Sequence, residues 1–287
     1  MGQDPAVHDH ELQDHRLEDD ELEDHDRGLS HDLPRMLNRR RALTIFGGAG
    51  LAAALAACGA GSNTDASTGG ADSTTSPSAS GATIPEETGG PYPGDGSNGV
   101  NVLTESGIVR SDITSSFGTA SGVAAGVPLT IRLTVLDTTN GSAGLSGAAV
   151  YLWHCNRDGE YSLYSDGVTQ ANYLRGVQET DGNGAVTFTS IYPAAYSGRW
   201  PHIHFEVYSS LDSATKATDK LRTSQLALPE DACKLVYATD GYSASVSNLA
   251  QTSLATDMVF SDGYSLQLAT VTGDVTKGMT ATLNVPV

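Results

Sequence analysis

Two histidines, His202 and His204, stand two residues apart in the run Pro201-His202-Ile203-His204-Phe205. Side chains on an extended strand alternate between faces, so both imidazoles point the same way and make half of a metal site. No cysteine lies near them in sequence, and a carboxylate triad would need a nearby Asp or Glu. What lies upstream is tyrosine: Tyr196 in Tyr192-Pro193-Ala194-Ala195-Tyr196, and Tyr161 in Gly159-Glu160-Tyr161-Ser162. A phenol gives up its proton at neutral pH only beside a strong positive charge. Trivalent iron, Fe(III), is such a cation. Two phenolates offset much of its charge, and with two imidazoles they leave a coordination position for hydroxide or substrate. On residue type alone, Tyr164 competes with Tyr161, and Tyr192 with Tyr196, although Tyr192 directly precedes Pro193 and suits packing. A zinc or copper site on the histidine pair with a carboxylate is the other metal reading. His154, after Trp153 on a strand, reads as structural.

These side chains need rigid elements to hold them, and the pattern beyond Thr83 is one of short strands between turns. Leu129, Ile131, Leu133 and Val135 alternate with polar residues across Val127–Thr139, which Asn140-Gly141 then turns. Further strands are expected at Ala148–His154 (Val150, Leu152 and Trp153 inward), Ala185–Ile191, Trp200–Tyr208, Thr223–Leu228, Ser265–Val271 and Met279–Val285. No periodic helix stands out. With 32 glycines and 17% charged residues, the chain reads as all-β, an antiparallel β-sandwich whose long loops carry the metal site. Residues 156–180 and 229–264 are the long connections where binding chemistry tends to sit.

The amino-terminal third reads differently. Residues 1–34 form an acidic leader with five of the eight histidines (His8, His10, His15, His25, His31), a composition that cannot bury enough apolar surface to fold. Residues 35–57 combine Arg39-Arg40-Arg41 with a short Ala/Gly-rich apolar run, which is a signal peptide of twin-arginine type. It ends in Leu55-Ala56-Ala57-Cys58, a lipobox-like stretch in which Cys58 would carry a lipid anchor. Residues 58–84 are a Ser/Thr/Gly tether, and 85–287 the folded domain. The chain is therefore expected to be exported, as an extracellular or cell-surface lipoprotein. Setting Cys58 aside leaves Cys155 and Cys233, which in an oxidising compartment either pair or stay as two buried thiols. Of the net charge of −18, the 12 acids and 6 bases up to Ala57 carry −6, so the remainder keeps −12. No basic patch survives export, which argues against nucleic acid as a partner.

In order along the chain, Glu87-Thr88-Gly89-Gly90-Pro91-Tyr92, Val150-Tyr151-Leu152-Trp153-His154, Gly159-Glu160-Tyr161-Ser162, Thr180-Asp181-Gly182-Asn183-Gly184, Ile191-Tyr192-Pro193 with Tyr196, and Arg199-Trp200-Pro201-His202-Ile203-His204-Phe205 resemble the intradiol ring-cleavage dioxygenases. That family includes the catechol and protocatechuate dioxygenases. The likeness runs from about Pro85 to the region of Gln225 and is nearest to the exported, single-domain branch. The helical domain that dimerises some catechol dioxygenases is not expected, and the oligomeric state stays open. The resemblance implies that Tyr161, Tyr196, His202 and His204 ligate Fe(III), with Tyr196 the phenolate that lets go when a catechol chelates and then takes up a substrate proton. It implies that Arg199 stabilises charge developing on the ring and that Gln225 hydrogen-bonds beside it. Read without the family, Arg199 is a surface cation and Gln225 an ordinary strand residue. The implied substrates are a small catechol and O2, and the implied product is a muconate-type diacid. Cys155 stands where the family often has Ala. The competing reading outside catalysis is an exported β-sandwich module that binds aromatics or polysaccharide.

Overall fold

Alternating burial builds the first sheet. The computed structural model describes residues 81–287, so the acidic leader, the signal peptide, Cys58 and most of the tether lie outside the described residues. Strand β1 (Pro128–Asp137) buries Leu129, Ile131, Leu133 and Val135 and turns Arg132 outward, as its period of two requires. It lies antiparallel to β2 (Ala143–Gly144) and β5 (Ala185–Ile191) along one edge. Along the other it runs parallel to β9 (Gly278–Pro286), which pairs antiparallel with β8 (Thr270–Asp274). The sandwich is thus antiparallel except where β9 joins β1. After β1 a short 3-10 turn, Thr138–Asn140, ends on Gly141 in the left-handed region (φ +64°), as the Asn-Gly pair suggests.

The second sheet carries the chemistry. It runs in the order β4 (Arg175–Glu179), β3 (Ala149–Trp153), β6 (His202–Tyr208), β7 (Lys220–Ala227), all antiparallel. All seven residues of β6 are buried, so this strand is covered on both faces. Ile203, Phe205 and Val207 point into the sandwich core with Val150, Leu152, Phe188 and Ile131. Such fully buried apolar side chains contribute roughly 1.5–3 kcal/mol each. His202, His204, Glu206 and Tyr208 face outward, onto the side that the segments 84–126 and 156–174 cover. Trp153, expected in the core beside Val150 and Leu152, is buried on that outer face instead, with Tyr151, because odd and even positions of β3 diverge.

The structure departs from the strand reading at three places. β4 has no signal in sequence, because Arg175-Gly176 opens it and neither residue marks a buried strand. The last connection holds α2 (Glu230–Tyr237) and α3 (Ser243–Leu249), and α1 (Leu211–Thr215) precedes β7; each is too short to show a helical period. The strand expected at Ser265–Val271 begins at Thr270. The two cysteines among the described residues are free: Cys155 lies on the outer face and Cys233 in the sandwich core, so no bond joins them. Burial pushes both thiols up to about 12, which makes them inert packing residues.

Candidate metal centre

The register of β6 against its neighbours sets the floor of the site. His204 lies opposite Trp153 on β3 and Gln225 on β7. Its ring is stacked flat on Trp153, at 4.9 Å and 4° between planes. His202 Nδ1 is 2.6 Å from the Trp200 carbonyl. A carbonyl only accepts, so Nδ1 carries the proton and Nε2 presents its lone pair, the tautomer a metal ligand needs. The two Nε2 atoms are 3.1 Å apart.

Two phenols close on this pair. Tyr196 Oη lies 3.3 Å from His202 Nε2, Tyr161 Oη lies 3.5 Å from the same atom, and the two hydroxyls are 3.5 Å apart. Tyr161 arrives on the connection after β3, and Tyr196 on the one between β5 and β6. Their approach depends on Gly159, whose φ of +91° suits glycine and where a Cβ would stand 3.1 Å from that of Tyr196. Tyr164 turns its hydroxyl away, donating to Asn98 and accepting from the Gly94 amide. Tyr192 points its hydroxyl at Cys233 in the core. His154 is likewise turned aside: Nδ1 donates to the Cys155 carbonyl and Nε2 meets the Ser190 hydroxyl.

The chemistry of these donors fits a hard trivalent cation. Metal–ligand bonds of about 2.0–2.1 Å put adjacent ligand atoms roughly 3.0–3.4 Å apart, close to the separations found here. Burial pushes Tyr161 well above the usual phenol range and Tyr196 up to about 12, the Arg199 cation pulling Tyr196 the other way. Burial, aided by the neighbouring cations, holds His202 and His204 well below 6.5. The cage is therefore four neutral groups, two of which ionise only beside a strong positive charge. Among the described residues, no group of three or more His, Cys, Asp or Glu gathers where it could hold an ion. A carboxylate does not join the histidine pair, which weighs against the zinc or copper reading.

Arg199 and Gln225 stand together at the edge of the cage. The Arg199 Nη2 donates to Gln225 Oε1 at 2.7 Å, and Gln225 Nε2 donates to the Thr88 carbonyl at 2.9 Å. Both are buried, so neither is a surface residue. Two further residues had no signal in spacing. Asp257, within the connection 229–264, forms an ion pair with Arg199 at 2.9 Å. Arg175, on β4, is buried and donates to the carbonyls of Tyr92, Pro93 and Ser162 and to the hydroxyls of Tyr151 and Ser162. It thereby ties the Tyr161 loop to the lead-in segment, whose Tyr92 ring lies 5.0 Å from that of Tyr161.

Residues 109–239 match the family model described as Dioxygenase. The resemblance to the intradiol ring-cleavage dioxygenases holds. The chain is similar to the solved intradiol ring-cleavage dioxygenase from Tetranychus urticae, at 23% identity and a TM-score of 0.52, over 63% of this chain and 87% of that one. A second solved dioxygenase gives 23% identity and a TM-score of 0.51 over the same shares, 63% and 87%. The dioxygenase domain of a carbohydrate-binding fusion from Streptomyces sp. SirexAA-E gives 20% identity and a TM-score of 0.45, over 72% and 98%. At 23% identity, what the chain shares with the first two is the fold. No curated protein matches in sequence.

Within that fold His154 makes a pH-dependent contribution to stability. Burial lowers it to about 4 from 6.5, so between these values the unfolded imidazole binds a proton that the folded one does not. Stability therefore rises with pH across this window, and about 3 kcal/mol present at pH 7 is lost as pH falls through it. Urea unfolding of the metal-free chain at about pH 7.5 and 4.5 measures this. A His154→Gln variant is expected to show a shallower pH slope; an unchanged slope would sink the assignment.

Proposed function

We propose that Tyr161, Tyr196, His202 and His204 hold ferric iron and that the chain opens a catechol-type ring between its two hydroxyl-bearing carbons. Both atoms of O2 enter the muconate-type diacid that results, so no external reductant is consumed. The observation that carries this reading is the convergence of two phenol oxygens and two imidazole nitrogens, with contacts of 3.1–3.5 Å around His202 Nε2.

When bound, ferric iron supplies the Lewis acidity that makes a catecholate susceptible to oxygen. The chain's residues do the rest. Tyr161, His202 and His204 are buried and packed, whereas Tyr196 is half-buried and followed by the exposed pair Ser197-Gly198. Tyr196 is thus the phenol free to swing, and its Oη takes a substrate hydroxyl proton as general base. Held by ferric iron it would be a phenolate, and once released its value of about 12 makes that oxygen basic enough to keep the substrate proton. Arg199 holds a fixed cation beside the ring, where negative charge develops. Gln225 orients it by accepting from Nη2. Tyr92 and Trp153, packed on Tyr161 and His204 respectively, shield the donors from water.

The same proposal places the enzyme outside the cytoplasm, exported by the 35–57 signal and tethered through Cys58, where it would meet exogenous catechols. The test is direct. The purified full chain loaded with ferric iron is expected to absorb visible light, to change spectrum on adding a catechol, and to consume one O2 per ring opened. Catechol, protocatechuate, caffeate and hydroxyquinol form the panel. A colourless protein with no oxygen uptake on any of them would leave the non-enzymatic binding module as the reading.

A further inference from the structure

Asp257 is one of the most enclosed charges among the described residues, its side chain 0% exposed. Every approach to it comes from the site or from its own loop. Oδ2 accepts from Arg199 Nε at 2.9 Å and from the Trp200 amide at 2.7 Å, and Oδ1 accepts from the amides of Val259 and Phe260 at 2.9 and 3.3 Å. Arg199 Nη2 reaches Oδ1 at 3.4 Å. The guanidinium is therefore held along one edge by Asp257 while Nη2 also meets Gln225, so its plane and reach are set from two sides. The Trp200 residue extends the hold: its amide binds Asp257, and its carbonyl accepts from His202 Nδ1. One carboxylate thus fixes where the Arg199 cation sits relative to the imidazole pair.

We propose that Asp257 is a positioning residue for the ring-opening site, acting through Arg199; this rests on the function proposed above. A buried arginine without its carboxylate would be free to rotate toward other acceptors, and both oxygens of Asp257 are already engaged by Arg199, Trp200, Val259 and Phe260 and do not face a substrate directly. Its influence on substrate therefore travels through what it holds, Arg199 directly and His202 by way of Trp200, and the Arg199→Met background separates the two. Removing one partner of such a buried hydrogen-bonded pair has a large effect, whereas removing the second adds little.

The experiment is a double-mutant cycle on the iron-loaded full chain, read as the affinity for 4-nitrocatechol in the absence of oxygen, with iron content measured in parallel. Asp257→Asn keeps the shape but puts an amide opposite Arg199, or leaves an amide oxygen with no charge. It is expected to weaken 4-nitrocatechol binding about 10- to 100-fold. In an Arg199→Met background the same change is expected to alter affinity by less than about threefold. Equal losses in both backgrounds, or no loss in the parent, overturn the inference. Should Asp257→Asn fail to fold, Asp257→Ser is the second variant. Folding restored by Arg199→Met is then the same coupling read as stability, and failure to fold in both backgrounds shows a merely structural role. A parent chain that takes up no iron or binds no 4-nitrocatechol overturns the proposed function itself, and this inference with it. A parent that binds while Asp257→Asn binds equally well overturns the inference alone.

Discussion

Tyr161→Phe is expected to lose tightly held iron, its visible absorption and ring-opening activity, the last by on the order of 10³-fold or more. The substitution removes one oxygen and keeps the ring that Tyr92 packs against. The fold should survive, because the Tyr161 loop is tied down by Arg175 through Ser162 and not by the phenol oxygen. Changes to groups merely adjacent to metal ligands typically cost 10- to 100-fold. Loss of a charged donor from a four-donor cage should exceed that. Tyr164→Phe is the matched control: its hydroxyl serves Asn98 and Gly94, and activity should stay within about threefold. Metal analysis and oxygen uptake on the two variants decide the matter. Retained iron and activity in Tyr161→Phe would remove the phenol from the site and return the histidine pair to an ordinary two-imidazole reading.

The parts of this site legible in sequence are those where local periodicity and chemistry coincide. His202 and His204 share a face because β6 is a strand, and a period of two is visible in any strand. The expectation that Trp153 joins Val150 and Leu152 in the core departs from that period of two; its odd position places it opposite, where it stacks on His204. Arg175 is not legible in sequence, because a buried cation whose hydrogen bonds go to carbonyls and hydroxyls has no partner charge. Asp257 lay inside a connection singled out as suited to binding, but nothing in spacing distinguishes it from Asp240 or Asp262. Its pairing with Arg199 spans 58 positions and exists only once the sheet has brought Trp200 beside the 229–264 segment. Long-range electrostatic partners of this kind are set by topology, which composition and periodicity do not encode. The cysteines make the same point in reverse: their number suggested a pair, and the two faces of one sheet separate them.

Loading the site with ferric iron is expected to release two protons per ion from the protein, so that affinity climbs at least about 100-fold per pH unit between about pH 7 and 9. The sign follows from the metal-free cage. Burial holds Tyr161 well above its ordinary range and Tyr196 up at about 12, so both phenols keep their protons throughout that window. Burial holds His202 and His204 far below 6.5, so neither imidazole has a proton to give. Every proton the protein itself releases therefore comes from a phenol, and the slope of log affinity against pH counts them once the one proton of a hydroxide filling the open position is allowed for. Calorimetry in two buffers of different ionisation enthalpy, with iron delivered from citrate and a protein-free blank subtracted, reads the number directly. A count near one would mean that only one tyrosine binds; a count near zero would leave an all-imidazole site. The same shifts bear on which ion the cage selects. Holding two desolvated phenolates together is unfavourable until a cation offsets both, and a divalent ion brings less charge to that task than a trivalent one. On the function proposed above, the raised phenol values would act as a filter, leaving zinc with two imidazoles and two reluctant hydroxyls and favouring the hard trivalent cation for which phenolate is a strong ligand.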